Sequence, residues 1–477
     1  MSASRREVLA ALGGAWIFAS LGALPAVSWA HCRAAPGVAW PPIEGDDEAG
    51  RMFARCGFGA RPADRAEFPG AAAWIEAQLA HESIDDTDCS RRLRRFESLH
   101  VPAGEAFEFH DHVVRRELQA RILLGAVHGA RQLHESVSEF WRDHFSLSIG
   151  KGECAWLATS FERDALRPHA LGNFRDLLRA VLLHPAMLWY LDGRLNRADS
   201  GAPNENHARE LLELHTLGLG GGYTQRDVQT AARALSGWTS RGLGERGKGA
   251  VSFDGARHDD AAKELLGGEL EAGLGEQEVE RVVDRVAAHP STAHFLARKL
   301  CVRYVADDPP AAVVDAVAEE FARSGGRIDA ALRRLFAHPE FRASHGAKLK
   351  RPLHFVASAL RACAVECDAT PSLLAYLERL GHAPYQWPTP DGYPATADHW
   401  RSGLLWRWRF AEELARGSIA GAPVDAAGLF ARAGGRDRFV AHALGRTANE
   451  PERAACAAGD DAEALAVVLA SPGFQRC

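Results

Sequence analysis

Val113-Val-Arg-Arg-Glu-Leu-Gln-Ala-Arg-Ile-Leu-Leu-Gly-Ala-Val-His-Gly-Ala130 places apolar side chains three and four residues apart over about five turns. A strand would need strict alternation, so this stretch reads as a helix. The same spacing recurs in Ala71–Ala80, Gln132–Trp141, Phe174–Leu183, Val279–Ala288, Thr292–Tyr304, Ala311–Ser324 and Ile328–Ala337. Pro185, Pro290 and Pro339 each follow a histidine and sit where a first helical turn tolerates proline. Thr224-Gln-Arg-Asp227 has the form of a capping arrangement before Val228–Leu235. Strand-like alternation is almost absent; the best candidate is Gly249–Phe253, paired with a neighbour near Trp238–Ser240. The expected fold is mainly α, a large multi-helix globular body with at most a short β-hairpin near 238–253.

Linker-like stretches at Gly242–Gly249, Gly267–Gly275 and Ala383–Ala397 suggest an organisation in three parts. Residues 1–30 form an export signal. Residues 31–380 form the main helical domain, with an irregular insertion at 218–275. Residues 381–477 form an aromatic loop and a C-terminal helical lobe packed on that domain.

The signal reading rests on Ser4-Arg5-Arg6, a nearly uncharged apolar run from Val8 to Val27, and the small-residue exit Ser28-Trp29-Ala30. Adjacent arginines point to the twin-arginine route. A retained anchor is the alternative, but Gly13, Gly14, Gly22 and Pro25 weaken such a helix. The expected address is therefore periplasmic or secreted, with no membrane span after cleavage. A hydrophobic content of 47% with 25% charged residues is that of an ordinary globular chain. With 56 basic and 62 acidic residues, the formal net charge of −6 argues against nucleic acid as a partner. The nine cysteines, all at or beyond Cys32, are an odd number for an oxidising compartment. Cys363-Ala-Val-Glu-Cys367 has no second pair close in sequence, so core thiols or a disulfide are expected there and no metal.

Pro203-Asn-Glu-Asn-His-Ala-Arg-Glu-Leu-Leu-Glu-Leu-His-Thr-Leu-Gly218 is the densest polar stretch. On a regular helix, Glu205, Asn206, Arg209, Glu210 and Glu213 share an arc of about 140°. His207, Leu211, Leu212, Leu214 and His215 take the other side. Arg209 lies four residues from both Glu205 and Glu213 and can bridge them. Glu210 has no such partner. One reading is a solvated face laced with weak ion pairs. The other is a polar stripe facing a cleft, in which Arg209 holds one carboxylate charged and Glu210, with a raised pKa, works as acid or base. On the second reading Glu210, Glu213 and His144 are the catalytic candidates, and Glu205, Asn206, Arg209, His258 and Asp259 bind substrate.

His144 ends the apolar helix at Phe140-Trp-Arg-Asp-His-Phe145 and could face Glu210 across a cleft; capping backbone carbonyls is its alternative. His258-Asp259, ahead of Lys263, could position a substrate or mark a simple turn. His110 and His112 diverge by about 200° on a helix and do not suit a shared metal. Trp387-Pro-Thr-Pro-Asp-Gly-Tyr-Pro394, with His399, Trp400, Trp406 and Trp408, reads as a rigid loop that packs over something: a core, or a sugar-binding platform. No nucleophile elbow, phosphate loop, zinc helix or haem-attachment motif occurs, and the sequence leaves any cofactor open.

Asn204-Glu-Asn206, Ala208-Arg-Glu-Leu-Leu-Glu-Leu-His-Thr-Leu-Gly218, Gly222-Tyr-Thr224 and Ala232-Arg-Ala-Leu-Ser-Gly-Trp238 resemble the signature of the bacterial family called "domain of unknown function 1800". Arg55–Gly59, Phe140–Phe145, Pro185–Leu188, Tyr190–Asp192, His258-Asp259 with Lys263, His289–Thr292, Lys299-Leu300, Pro339–Phe341 and Pro390–Pro394 agree with it in order. His207 departs from the pattern, standing where the family usually has an aromatic residue. The resemblance implies a secreted, mostly helical protein, often exported through the twin-arginine system and commonly encoded with a secreted sulfatase-like protein. It implies no reaction. Two functions stay open: an exported enzyme with Glu/His acid–base chemistry, a hydrolase or lyase acting on glycans, and a non-catalytic scaffold for the co-exported sulfatase-like partner.

Overall fold

A computed structural model describes Trp40, Ile43 and residues 47–199 and 201–477. The expected export segment and Cys32 lie outside the described residues. Helices follow one another through the chain, and their buried faces share one apolar core running from Met52 to Phe474. The fold is mainly α. No helix among the described residues is long and apolar enough to cross a membrane.

The opening stretch forms α1 (Asp111–His128), which packs on Cys154–Ser160 and on Pro352–Ala362. The next helix, α2 (Gln132–Phe145), is buried along its whole length except at Asp143. Its Trp141 has no exposed surface and donates its indole N–H to the Ala170 carbonyl at 2.9 Å. An indole satisfied in this way can sit at the centre of a core without an unmet hydrogen bond.

The three His-Pro pairs start helices as expected, and the structure adds why the histidine is there. His184 Nδ1 accepts from Ala186 N–H at 3.1 Å, His289 from Ser291 at 3.2 Å and His338 from Glu340 at 3.3 Å. Each imidazole thus caps the first turn while proline occupies the position that has no N–H to satisfy. Thr224 and Asp227 close a reciprocal capping box before Gln225–Ala234.

The expected hairpin pairs β1 (Trp238–Ser240) with β2 (Val251–Phe253), antiparallel, Trp238 opposite Phe253. A second hairpin, β3 (Lys263–Leu265) with β4 (Gly268–Leu270), lies where the sequence suggested only irregular chain. Its turn residues Leu266 and Gly267 both have positive φ, 50° and 73°, the twist that two-residue hairpins require. Leucine adopts that conformation at a cost, and Leu266 N–H is held by Asp227 Oδ1 at 2.7 Å. The eight described cysteines are free, buried thiols, Cys363 and Cys367 among them.

Candidate functional site

The chain enters the polar segment through amide hydrogen bonds. Asn196 Oδ1 accepts from Asn204 N–H, Asn204 Oδ1 accepts from Asn206 N–H, and Asn206 Nδ2 donates to the Leu191 carbonyl at 3.0 Å. Asn206 is therefore a structural tie, its amide turned to the backbone. The helix that follows is regular only over Asn206–Glu210; Leu211–Thr216 is a π turn. Leu217 N–H reaches back five residues to Leu212 at 3.0 Å, and Thr216 Oγ1 donates to the Leu211 carbonyl at 2.6 Å. The uniform step of 100° assumed from sequence fails beyond Glu210, because a π turn takes in an extra residue. Leu211, Leu212 and His215 still face the core, as does His207, which packs against Gly193.

Glu205, Arg209 and Glu213 form the expected bridge, with 2.8 Å to Glu205 and 3.4 Å to Glu213. Gln225 joins it, accepting from Arg209 and donating to Glu205 at 2.7 Å. Glu205, Arg209 and Glu213 are 22–36% exposed and Gln225 is exposed, so the ridge is partly in water. Glu210 stands beside it with no hydrogen bond or ion pair among the described residues. Burial first, then the charges of Glu213 and Asp391, raise its pKa, while Arg209 pulls the other way. Burial, then Glu213, pushes the Tyr223 hydroxyl up to about 12.

Asp391 comes from the aromatic loop, which does pack over the helical body. Tyr190 donates to the Pro388 carbonyl at 3.1 Å and Ser146 to the Thr389 carbonyl at 2.8 Å. At Gly392 (φ 80°) a Cβ would stand 2.0 Å from the Asp143 carbonyl oxygen, so only glycine lets the loop come this close. Trp387 Nε1 and Thr389 Oγ1 both donate to Asp391 Oδ1, at 3.0 and 2.5 Å. Burial acts against the Asp391 charge, but these hydrogen bonds prevail and keep its pKa low. Its charge raises Glu210 and Tyr190 and stabilises the ammonium of Lys299.

Lys299 reaches His144, with Nζ 2.9 Å from Nδ1, and His144 Nε2 lies 3.0 Å from the His215 carbonyl oxygen. The carbonyl can only accept, so Nε2 carries the proton and Nδ1 accepts from lysine. Burial lowers Lys299 to about 8, opposed by Asp143 and Asp391. Burial, then Lys299, then His215, holds His144 well below the usual imidazole range. His144 is 1% exposed with both ring nitrogens engaged, so it positions Lys299 and does not itself meet solvent.

His258 and Asp259 belong to a different network. Arg233 holds Asp259 at 2.6 Å, and Lys263, wholly buried, pairs with Glu278 at 2.9 Å. His258 lies 3.1 Å from Glu278 and 2.9 Å from the Ser236 carbonyl oxygen. Burial works against its protonation, yet Glu278 and Ser236 outweigh it and raise the pKa. These groups tie the second hairpin to its neighbours. Among the described residues, Glu139, Asp143 and His382 bring ligand atoms within 4.8 Å of one another. The Arg351 guanidinium already stands 2.5 Å from both carboxylates, and Leu353 N–H donates to His382 Nδ1. That centre is a carboxylate–guanidinium cluster.

The structure thus gathers Glu205, Arg209, Glu210 and Glu213 on one ridge, seats Asp391 beside Glu210, and leaves His144 beneath and His258 and Asp259 in their own network. Lys299, Tyr190, Asp391 and Gln225 are the additions. Three of them stand in stretches that carry the family resemblance, Lys299-Leu300, Tyr190–Asp192 and Pro390–Pro394, the one signal that pointed to them.

A family model described as a protein of unknown function (DUF1800) matches residues 51–476, and the chain belongs to that family. No curated protein and no solved structure matches it.

Proposed function

We propose that this DUF1800 protein is an exported enzyme that performs acid–base chemistry at the Glu210 edge of the ridge, with a glycan as substrate. Glu210 is the observation that carries the reading. Among the described residues it is the one acid of the ridge without a cationic partner, and burial, Glu213 and Asp391 favour its protonated form. Glu213, bridged to Arg209, lies beside it. Two carboxylates in unlike surroundings divide the labour of glycoside cleavage, one donating a proton to the leaving oxygen and the other acting as base or nucleophile. Trp387 and Tyr223, both partly exposed, offer flat apolar faces of the kind on which sugar rings stack. An export signal in residues 1–30 would deliver the enzyme to the compartment where polysaccharides lie.

The test is reducing-end release from a panel of polysaccharides by wild type and Glu210→Gln. The expected loss is about 10²–10⁴-fold, with Tm within a degree or so of wild type. Undiminished turnover in the variant removes Glu210 from the mechanism, and no release from any member of the panel removes the glycan.

A second reading has support in Leu195, Leu219 and Leu243, which are 50%, 78% and 53% exposed. Apolar side chains left in water favour a docking role, here toward the co-exported sulfatase-like partner. A stoichiometric complex with that partner, together with full function of Glu210→Gln, would select it.

A further inference from the structure

One small cavity, of about 30 Å³, is lined by four cations, Arg55, Arg303, Lys348 and Arg351, together with His354, Leu349, Ala395 and Cys477. Three carboxylates answer these four charges. Glu139 takes Arg303 at 2.7 Å and Arg351 at 2.5 Å, Asp143 also takes Arg351, and Asp307 pairs with Lys348. Arg55 is left over. It is 5% exposed, donates to the Ser344 carbonyl and to Ser344 Oγ at 3.3 Å, and reaches Cys477 Sγ at 3.8 Å. No carboxylate side chain among the described residues pairs with it.

Among the described residues, two further polar atoms of this wall have no hydrogen-bond partner, Arg351 Nε and His354 Nε2. Their residues are 7% and 5% exposed. Burial, then the nearby cations Lys350 and Arg303, keeps His354 neutral, so the ring can donate one hydrogen bond without adding charge. A buried wall with a guanidinium that no side-chain carboxylate pairs, and with unmatched donors, is complementary to an anion that has several acceptor oxygens.

We propose that this cavity is a binding site for a tetrahedral oxyanion, phosphate or sulfate, with Arg55 as its principal charge partner. The volume holds about two waters and so suits one such ion and little more. Guanidinium forks match oxyanion geometry with paired hydrogen bonds, which a chloride ion cannot use. Ala395, exposed and part of the lining, marks the side of entry.

The experiment is isothermal titration of the full chain with inorganic phosphate and, separately, with sulfate, at an ionic strength fixed by chloride. A saturable 1:1 isotherm is expected, and Arg55→Gln should weaken it roughly tenfold or more. Binding of both ions shows that the tetrahedral shape is read, and binding of phosphate alone shows that the site also accepts its proton. If Arg55→Gln does not fold, Ala395→Trp tests the same site by closing its entry and should abolish binding. Absence of saturable heat with either ion overturns the proposal, as does wild-type affinity in both variants.

Discussion

Two ladders of charged side chains with the same four-residue spacing run through this protein, and they do opposite work because they sit at different depths. Glu135, Glu139 and Asp143 climb α2 with side chains 3%, 1% and 14% exposed. Glu205, Arg209 and Glu213 climb the polar ridge at 31%, 36% and 22%. On the ridge the cation comes from the same helix. In the core it comes from far along the chain: Arg121 and Arg167 clamp Glu135, and Arg303 and Arg351 clamp Glu139. Burial alone would raise the pKa of Glu139, but its two guanidiniums more than reverse that and hold it well below the carboxylate range. Spacing in a sequence therefore says which side chains share a face. Depth decides whether that face is structural or available for chemistry.

The sharpest way to break this contrast is to remove one core acid. Glu139→Ala leaves Arg303 and Arg351 buried without their shared counter-charge, and the expected loss is about 3–5 kcal/mol by denaturant titration. A loss below about 1 kcal/mol would mean that water reaches the core ladder and the contrast is false.

Acid should come next in size and act mainly on the core. The histidines His207 (about 4), His134, His184 and His215 (about 3) and His128 (about 2) are all lowered from 6.5 by burial first. The unfolded chain takes up protons that the native rings refuse, so stability falls as pH drops from 6.5 toward 3. Glu162, lifted by burial but drawn down to about 2 by Arg142, adds a loss that begins below its ordinary 4.5. Thermal scans between pH 7 and pH 4 should show Tm falling steadily. A flat profile would contradict the burial of these rings.

The smallest effect belongs to the ridge. Arg209→Ala should cost under about 1 kcal/mol, since Glu205 and Glu213 regain water when their partner leaves. The same change removes a charge that pulls Glu210 down, so carboxyl titration followed by NMR should show Glu210 moving higher. A large loss of stability would place the ridge with the core ladder.

Much of the helical build could be read from the residues. His-Pro starts, the Thr224–Asp227 box and the Trp238–Phe253 pairing each follow from local chemistry, and each is present. The second hairpin could not be read, because Leu266-Gly267 lacks the asparagine or aspartate that usually announces such a turn. The core ladder escaped notice for another reason. α2 reads as apolar, and the arginines that neutralise its acids are up to 212 residues away. At the candidate site, the Glu205–Arg209–Glu213 bridge was legible because it is local. Asp391 and Lys299 approach from other elements, and only folding brings them near.

The π turn at Leu211–Thr216 means that this helix carries a spare residue. Because the surplus is absorbed within the turn, deleting one residue there would rewind the segment to an ordinary pitch and leave the chain that follows in place. The His215 carbonyl lies inside the turn, so that deletion would disturb the group that fixes the tautomer of His144 while sparing what comes after it.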